Sequence, residues 1–259
     1  MRLLYQFPTW LQRLYRGVVW RMNPSSKVVY LTFDDGPIPE CTPQVLDILA
    51  QYGVKATFFM VGENVERYLQ LLKRVRAEGH AVGNHTYHHL KGYKTCTHTY
   101  LQDAREANSL LQTHLFRPPH GRMKYSQKKA LREEGCTIYL WDVLTHDYNP
   151  RYSVEKMLAV VKRYTRNGSI IVMHDSLKSK DRMLVLLPQL IEWLHAEGYE
   201  CQAVDGVHIQ PITKGGDACR VVAWYVGCGQ ILPHMAHAVT QRREGEKTTI
   251  TGRRSLSKE

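Results

Sequence analysis

Apolar and polar positions along the chain come in blocks of two kinds. Short, nearly unbroken apolar runs occur at "VVYLTF", "ATFFMV", "HAVGN", "LFRPP", "TIYLWDV", "SIIVMHD" and "ECQAV". Between them, apolar residues recur at helical spacing near Pro43 to Gln51, Glu63 to Glu78, His98 to Thr113, Ser126 to Glu134, Ser153 to Arg166 and Asp181 to Glu197. A short continuous apolar run reads as a buried strand, and a run repeating every three or four positions reads as an amphipathic helix. The alternation predicts repeated β-α units and a parallel sheet. Gly53, Gly79, Gly135, Gly168 and Gly198 each follow a helical run, where a left-handed C-terminal cap is expected. Seven strands with helices outside predict an α/β fold, a partly closed (β/α)7 barrel. In such barrels the chemistry sits at the C-terminal ends of the strands.

The pattern divides the chain into residues 1–26, 27–205 and 206–259. Between Arg2 and Lys27, Arg13, Arg16 and Arg21 stand with no acid, beside Trp10, Leu11, Leu14, Tyr15, Val18 and Met22 at helical spacing. This predicts a basic amphipathic helix as an N-terminal helical segment. Its apolar stripe fits an anionic membrane surface or a face of the main domain, and the second is favoured because apolar stripes are as a rule core faces. After Val204 the regularity fails and leaves an irregular C-terminal tail with no assignable function. Its polar, basic, Thr-rich finish predicts disorder over about the last fifteen residues.

Composition narrows the classes. At 259 residues and 43% hydrophobic, the chain can bury a sizeable core, which excludes a disordered or fibrous protein. The net charge of +11 favours anionic neighbours. A nucleic-acid groove would interleave basic and aromatic residues, whereas this charge is scattered, with local clusters in the N-terminal segment and the tail. A basic polyanion-binding protein is therefore the less favoured class, and no nucleic-acid partner is expected. The six cysteines show no CxxC spacing and read as mostly buried thiols, with only Cys219 and Cys228 considered for a disulfide. Neither a cleavable signal peptide nor a membrane-spanning run is visible. The expectation is a cytoplasmic or membrane-peripheral protein, with the N-terminal helix as the attachment.

The strand ends carry the chemistry. After "YLTF" come Asp34 and Asp35, after "HAVGN" comes "HTYHH", after "LF" comes "RPPHG", after "YLWDV" comes "THDY", and "SIIVMHDS" contains His174. Two adjacent carboxylates repel, so both stay ionised in a shielded cleft only beside a cation or strong donors. His85 and His89 are four residues apart, a spacing that one helical turn places on one face. With one carboxylate they make a two-histidine, one-carboxylate site with open coordination positions, and the second carboxylate remains as a base. Trp20, Trp141 and Trp193 read as packing residues, Trp141 also as a sugar platform of lower weight; His88 reads as exposed.

In order and spacing, "TFDDGP", "HTYHH", "FRPPHG", "WDVLTHDY" and "IIVMHD" resemble the five motifs of the polysaccharide deacetylases, carbohydrate esterase family four. The resemblance covers roughly Lys27 to Val204 and implies the partly closed barrel of that family, with 27–205 as its catalytic domain. It implies that Asp35, His85 and His89 bind a divalent metal, zinc first and cobalt, manganese or nickel as alternatives. Asp34 would be the general base, held ionised by Arg117. His174 would be the general acid, oriented and charged by Asp147, and the backbone N–H of His120 would help bind the oxyanion. Tyr148 stands where tryptophan is common and Val172 where leucine is usual, and both would give an apolar wall for the acetyl methyl. The implied reaction is removal of N-acetyl groups from N-acetylglucosamine-containing glycans such as peptidoglycan or chitin-like oligomers. O-acetyl esters or small cyclic amides are the alternative substrates for the same site.

Overall fold

The computed structural model describes residues 5–204. Eight strands form its sheet: β1 (Val28–Asp34), β2 (Thr57–Met60), β3 (Ala81–Asn84), β4 (Leu115–Phe116), β5 (Thr137–Ile138), β6 (Val143–Leu144), β7 (Ile170–His174) and β8 (Glu200–Cys201). Their order is β5-β4-β3-β2-β1-β7-β6, β8 pairs with β1, and every pairing is parallel. The helices are α1 (Thr9–Leu14), α2 (Thr42–Gln51), α3 (Gly62–Arg67), α4 (Leu69–Ala77), α5 (Thr97–Leu111), α6 (Tyr125–Glu133), α7 (Val154–Tyr164) and α8 (Lys180–Ala196). The result is the curled, partly closed barrel that the alternating pattern predicts.

Side-chain alternation along β1 divides two environments. Leu31 and Phe33 pack outward with Ile171 and Met173 of β7 and with helix residues such as Val45 and Leu190. Val28 and Tyr30 pack on the inner face with Phe59, Tyr139 and Ile170. Because β1 is buried along its whole length, it reads as an apolar run that only Thr32 interrupts before Asp34. Asp34 lies in register with His174 and Phe59, so the first carboxylate and the last motif histidine share the inner face at one rim.

Two predicted elements are each divided. The run "TIYLWDV" is not one strand, because β5 and β6 occupy opposite edges of the sheet and residues 139–142 carry the chain from one edge to the other. Five residue steps span about 18 Å at most, so the edges stand close and the backbone itself crosses the seam. The long helix expected from Glu63 to Glu78 is two helices, α3 and α4, separated at Tyr68 by non-helical φ −127° and ψ 46°.

The N-terminal segment differs most from expectation. Its helix is confined to the six residues of α1, since Pro8 and Gly17 bound the stretch and Gly17 has φ 81°. Residues 19–22 instead lie against the seam as extended chain. Val19 bridges Tyr139 in parallel and Arg21 bridges Ser169 in antiparallel sense, and the Met22 N–H donates to the Gly168 carbonyl at 2.8 Å. A side chain on Gly168 would put Cβ 2.5 Å from the Met22 carbonyl oxygen, and its φ of 78° favours glycine as well. The membrane attachment thus loses the long helix on which it rested, and among the described residues no helix is long and apolar enough to cross a membrane. Cys41 and Cys201 are buried free thiols, Cys136 is half-buried, and Cys96 is exposed. The expectations for 206–259, including the Cys219 and Cys228 pair, lie outside the described residues.

Candidate active site

Asp34 ends β1 with its side chain on the inner face, 2% exposed. At Asp35 the backbone turns left-handed, φ 81°, a conformation that aspartate tolerates better than most residues. That turn gives the two carboxylates different surroundings. Arg117, fully buried just beyond β4, donates to Asp34 Oδ1 at 2.6 Å, to Thr32 Oγ1 at 2.8 Å and to the Leu140 carbonyl at 3.0 Å. Its guanidinium also lies 4.1 Å from the centre of the Phe59 ring. Arginine keeps its charge in proteins, so Asp34 has a fixed cation as its partner.

Asp35 instead faces imidazoles. His85 Nε2 lies 3.7 Å and His89 Nε2 3.2 Å from Asp35 Oδ1. Burial works to raise the Asp35 pKa, but the hydrogen bond with His89 and the neighbouring histidine charges outweigh it and hold the carboxyl well below the usual range. Burial also pushes His85 down to about 4, so its ring is neutral at pH 7. The Arg117 carbonyl lies 2.8 Å from His85 Nδ1 and assigns the proton to that nitrogen, which leaves the Nε2 lone pair toward Asp35.

The two histidines do not share a helical turn. Residues 85–90 lie outside any helix, with left-handed backbone at Thr86 (φ 64°) and His89 (φ 54°). Side chains stabilise this loop from beneath. Asn84 Oδ1 accepts from the Thr86 N–H at 2.8 Å, and Asp103 Oδ2 accepts from the Tyr87 and His88 N–H groups at 2.8 and 3.0 Å. The loop brings the His85 and His89 rings to 5.0 Å between centroids. One carboxylate oxygen and two imidazole nitrogens lie within 4.8 Å of one another, a mixed N/O donor set that suits a divalent cation with open positions. His88 is 53% exposed at its side chain and pairs with Asp103 at 2.6 Å, outside this trio, as expected.

His174 closes β7. Asp147 accepts from its backbone N–H at 2.7 Å and lies 2.8 Å from its Nδ1. Burial pulls the His174 pKa down, but the charge and hydrogen bond of Asp147, with smaller contributions from Asp35 and Asp34, push it up to about 9. At neutral pH the ring is an imidazolium, with Nε2 not engaged by Asp147. Tyr148 packs edge-on against it, ring centres 5.0 Å apart. His120 sits in a one-turn 3-10 helix, Pro119–Gly121, with φ 59°, its ring 4.8 Å from that of His89. Val172 is not beside the cleft. It is fully buried on the same face as His174, about 7 Å down the strand, and Leu140 and Leu144 line the cleft with Tyr148 instead.

Three contributors escape a reading of the motifs. Asp175, fully buried, accepts from the Gly36 N–H at 3.0 Å and from Thr42 Oγ1 at 2.6 Å, and so ties the end of β7 to the Asp-Asp turn. Its place beside His174 in "MHDS" was the available signal. Phe7 and Trp20, from the N-terminal segment, line the same cleft of about 910 Å³ as Asp34, Asp35, His85, His89 and His174. No local pattern marks either of them, since only the folded seam brings them there. Trp141, read as packing with a lesser role as a sugar platform, also lines it.

The sequence and fold are similar to those of known proteins. The sequence profile described as polysaccharide deacetylase matches residues 21–139. A peptidoglycan-N-acetylglucosamine deacetylase of Bacillus cereus is 34% identical over 191 residues, which is 70% of this chain and 88% of the relative. A chitooligosaccharide deacetylase of Bradyrhizobium sp. is 32% identical, over 71% of this chain and 91% of its own length. Among solved structures, that of a peptidoglycan N-acetylglucosamine deacetylase superposes with a TM-score of 0.71 at 30% identity, covering 76% of this chain and 94% of the other.

Proposed function

The chain belongs to the polysaccharide deacetylase family, and from that premise we propose that it hydrolyses the N-acetyl groups of N-acetylglucosamine-containing glycans with a divalent metal, zinc first, held by Asp35, His85 and His89. The observation that carries this reading is the division between two adjacent carboxylates, Asp35 among imidazoles and Asp34 against a buried guanidinium.

Amide hydrolysis needs an activated water, stabilisation of a developing oxyanion and a proton for a poor amine leaving group. A divalent cation in such a site supplies Lewis acidity toward the carbonyl and acidity to the attacking water. Asp34, fixed by Arg117, takes the water's proton as general base. The backbone N–H of His120, in the turn Pro119–Gly121, would stabilise negative charge on the acetyl oxygen. His174, charged and oriented by Asp147, delivers a proton to the departing nitrogen. Tyr148 and Leu144 give the acetyl methyl an apolar wall. No serine or cysteine nucleophile enters the scheme.

The test is acetate release from N-acetylglucosamine oligomers and from peptidoglycan, using protein stripped of metal and then reloaded with zinc or cobalt. Release that depends on reloading supports the proposal. Tight, stoichiometric metal binding without release from either glycan contradicts it.

A further inference from the structure

Most of residues 5–22 precede the family match, which begins at residue 21. Yet this segment contributes two aromatic rings to the candidate active-site cleft. The Phe7 and Trp20 ring centres are 4.9 Å apart with planes inclined by 58°, and Tyr15 backs Trp20 edge-on at 6.3 Å.

The segment is fastened on both sides of those rings. Before Phe7, the Tyr5 carbonyl accepts from the Leu144 N–H at 3.0 Å, the Tyr5 and Tyr152 hydroxyls are 2.9 Å apart, and Gln6 Nε2 donates to buried Asp142 Oδ1 at 3.1 Å. Around Trp20, the Val19 N–H donates to the Ile138 carbonyl and the Leu140 N–H to the Val19 carbonyl, both at 2.8 Å. Side chains held in this way lose little freedom when a ligand arrives, so their contacts count more fully as affinity.

Two observations indicate what the rings contact. A cleft of about 910 Å³ is near the top of the ~300–1,000 Å³ range of small-molecule sites, and so has room beyond the single sugar under attack. Phe7 and Trp20 are only half-buried, and both line the cleft, so their rings keep apolar surface open to a ligand there. The C–H faces of a pyranose ring match flat apolar surfaces such as Phe and Trp.

We propose that Phe7 and Trp20 form a subsite for a neighbouring pyranose of the glycan, so that the seam segment, and not the motifs, makes the protein act on chains in preference to single sugars. This rests on the deacetylase reading for the identity of the ligand.

The test compares wild type with Phe7→Ala and Trp20→Ala. It measures kcat/KM for acetate release from N-acetylglucosamine oligomers of increasing length, and calorimetric binding of the longest soluble oligomer to metal-free protein. In wild type, kcat/KM rises with length. Each alanine variant lowers the ratio of longest to shortest about tenfold, mainly through KM, and weakens oligomer binding by a similar factor, which corresponds to ~1.4 kcal/mol. Trp20→Phe, which keeps a ring, restores part of the ratio, whereas Phe7→Leu, which keeps apolar volume, does not. These two variants carry the test if an alanine variant fails to fold. An unchanged ratio and unchanged binding in folded variants overturn the subsite and leave the deacetylase reading intact. Oligomer binding that weakens in the variants, with no acetate released by any form, supports the subsite and removes the reading.

Discussion

Asp34 and Asp35 differ by one position and meet opposite surroundings, and the left-handed backbone at Asp35 is the reason. Each surrounding makes a prediction. Removing the cation from Asp34 leaves a buried carboxylate uncompensated, so Arg117→Met should destabilise the fold by ~3–5 kcal/mol as well as reduce activity, readable from denaturant midpoints. His174 has the reverse problem. Its imidazolium persists because Asp147 outweighs burial, which puts the pKa at about 9. The proton is therefore present below that value and lost as pH rises through it, so the alkaline limb of kcat/KM falls at or below about pH 9, a bound cation acting to move it lower. Asp147→Asn removes the opposing charge and should shift that limb to lower pH. His174→Ala should cost roughly 10²–10⁴ in rate. A limb that stays in place in Asp147→Asn would show that another group delivers the proton.

Between elements, the central joint ties β1 to β7. Asp175 begins the chain after β7 and receives the Gly36 N–H and the Thr42 hydroxyl. Asp175→Ala should destabilise the protein by ~1–3 kcal/mol for each donor it leaves buried and unpaired, and should weaken metal affinity by loosening the Asp-Asp turn. Gly36→Ala tests the same joint from the other side, since its Cβ would sit 2.0 Å from Asp175 Oδ2. Metal titration of either variant at wild-type affinity would show that the joint does not position the site.

Elements with largely apolar runs, β1, β2, β3 and β7, were legible in the sequence because burial on both faces admits few polar residues, such as Thr32, Thr57 and Asn84. The division of "TIYLWDV" was not, because Leu140 and Trp141 are as apolar as strand residues although they cross the seam. The break at Tyr68 carries neither glycine nor proline, so nothing local separates α3 from α4. The motif residues could be picked out because each follows a strand, and strand ends share a rim. The loop geometry behind His85 and His89 was hidden, since i and i+4 spacing suits a helical turn as well as the loop that Asn84 and Asp103 stabilise. Phe7 and Trp20 depend on contacts more than a hundred residues away, such as Leu144 to Tyr5, and no local signal foretells them.

At the scale of the molecule, the fold presents Asp35, His85 and His89 together on one rim although they come from the ends of two strands. A ligand that binds only the folded state stabilises it by ~2.7 kcal/mol at a hundredfold excess over its dissociation constant. Zinc should therefore raise the melting temperature of wild type by about 5–10 °C, and His89→Ala should lose most of that rise. An equal rise in both would place the cation elsewhere.

The central claim is that Asp34 acts on the proton while its neighbour Asp35 holds the cation. The most direct test is acetate release by Asp34→Asn protein that retains one metal per chain. The account predicts a loss of at least about 10²-fold, the scale of a missing general base. Release at the wild-type rate would contradict it, and the roles drawn for the two carboxylates would fall together.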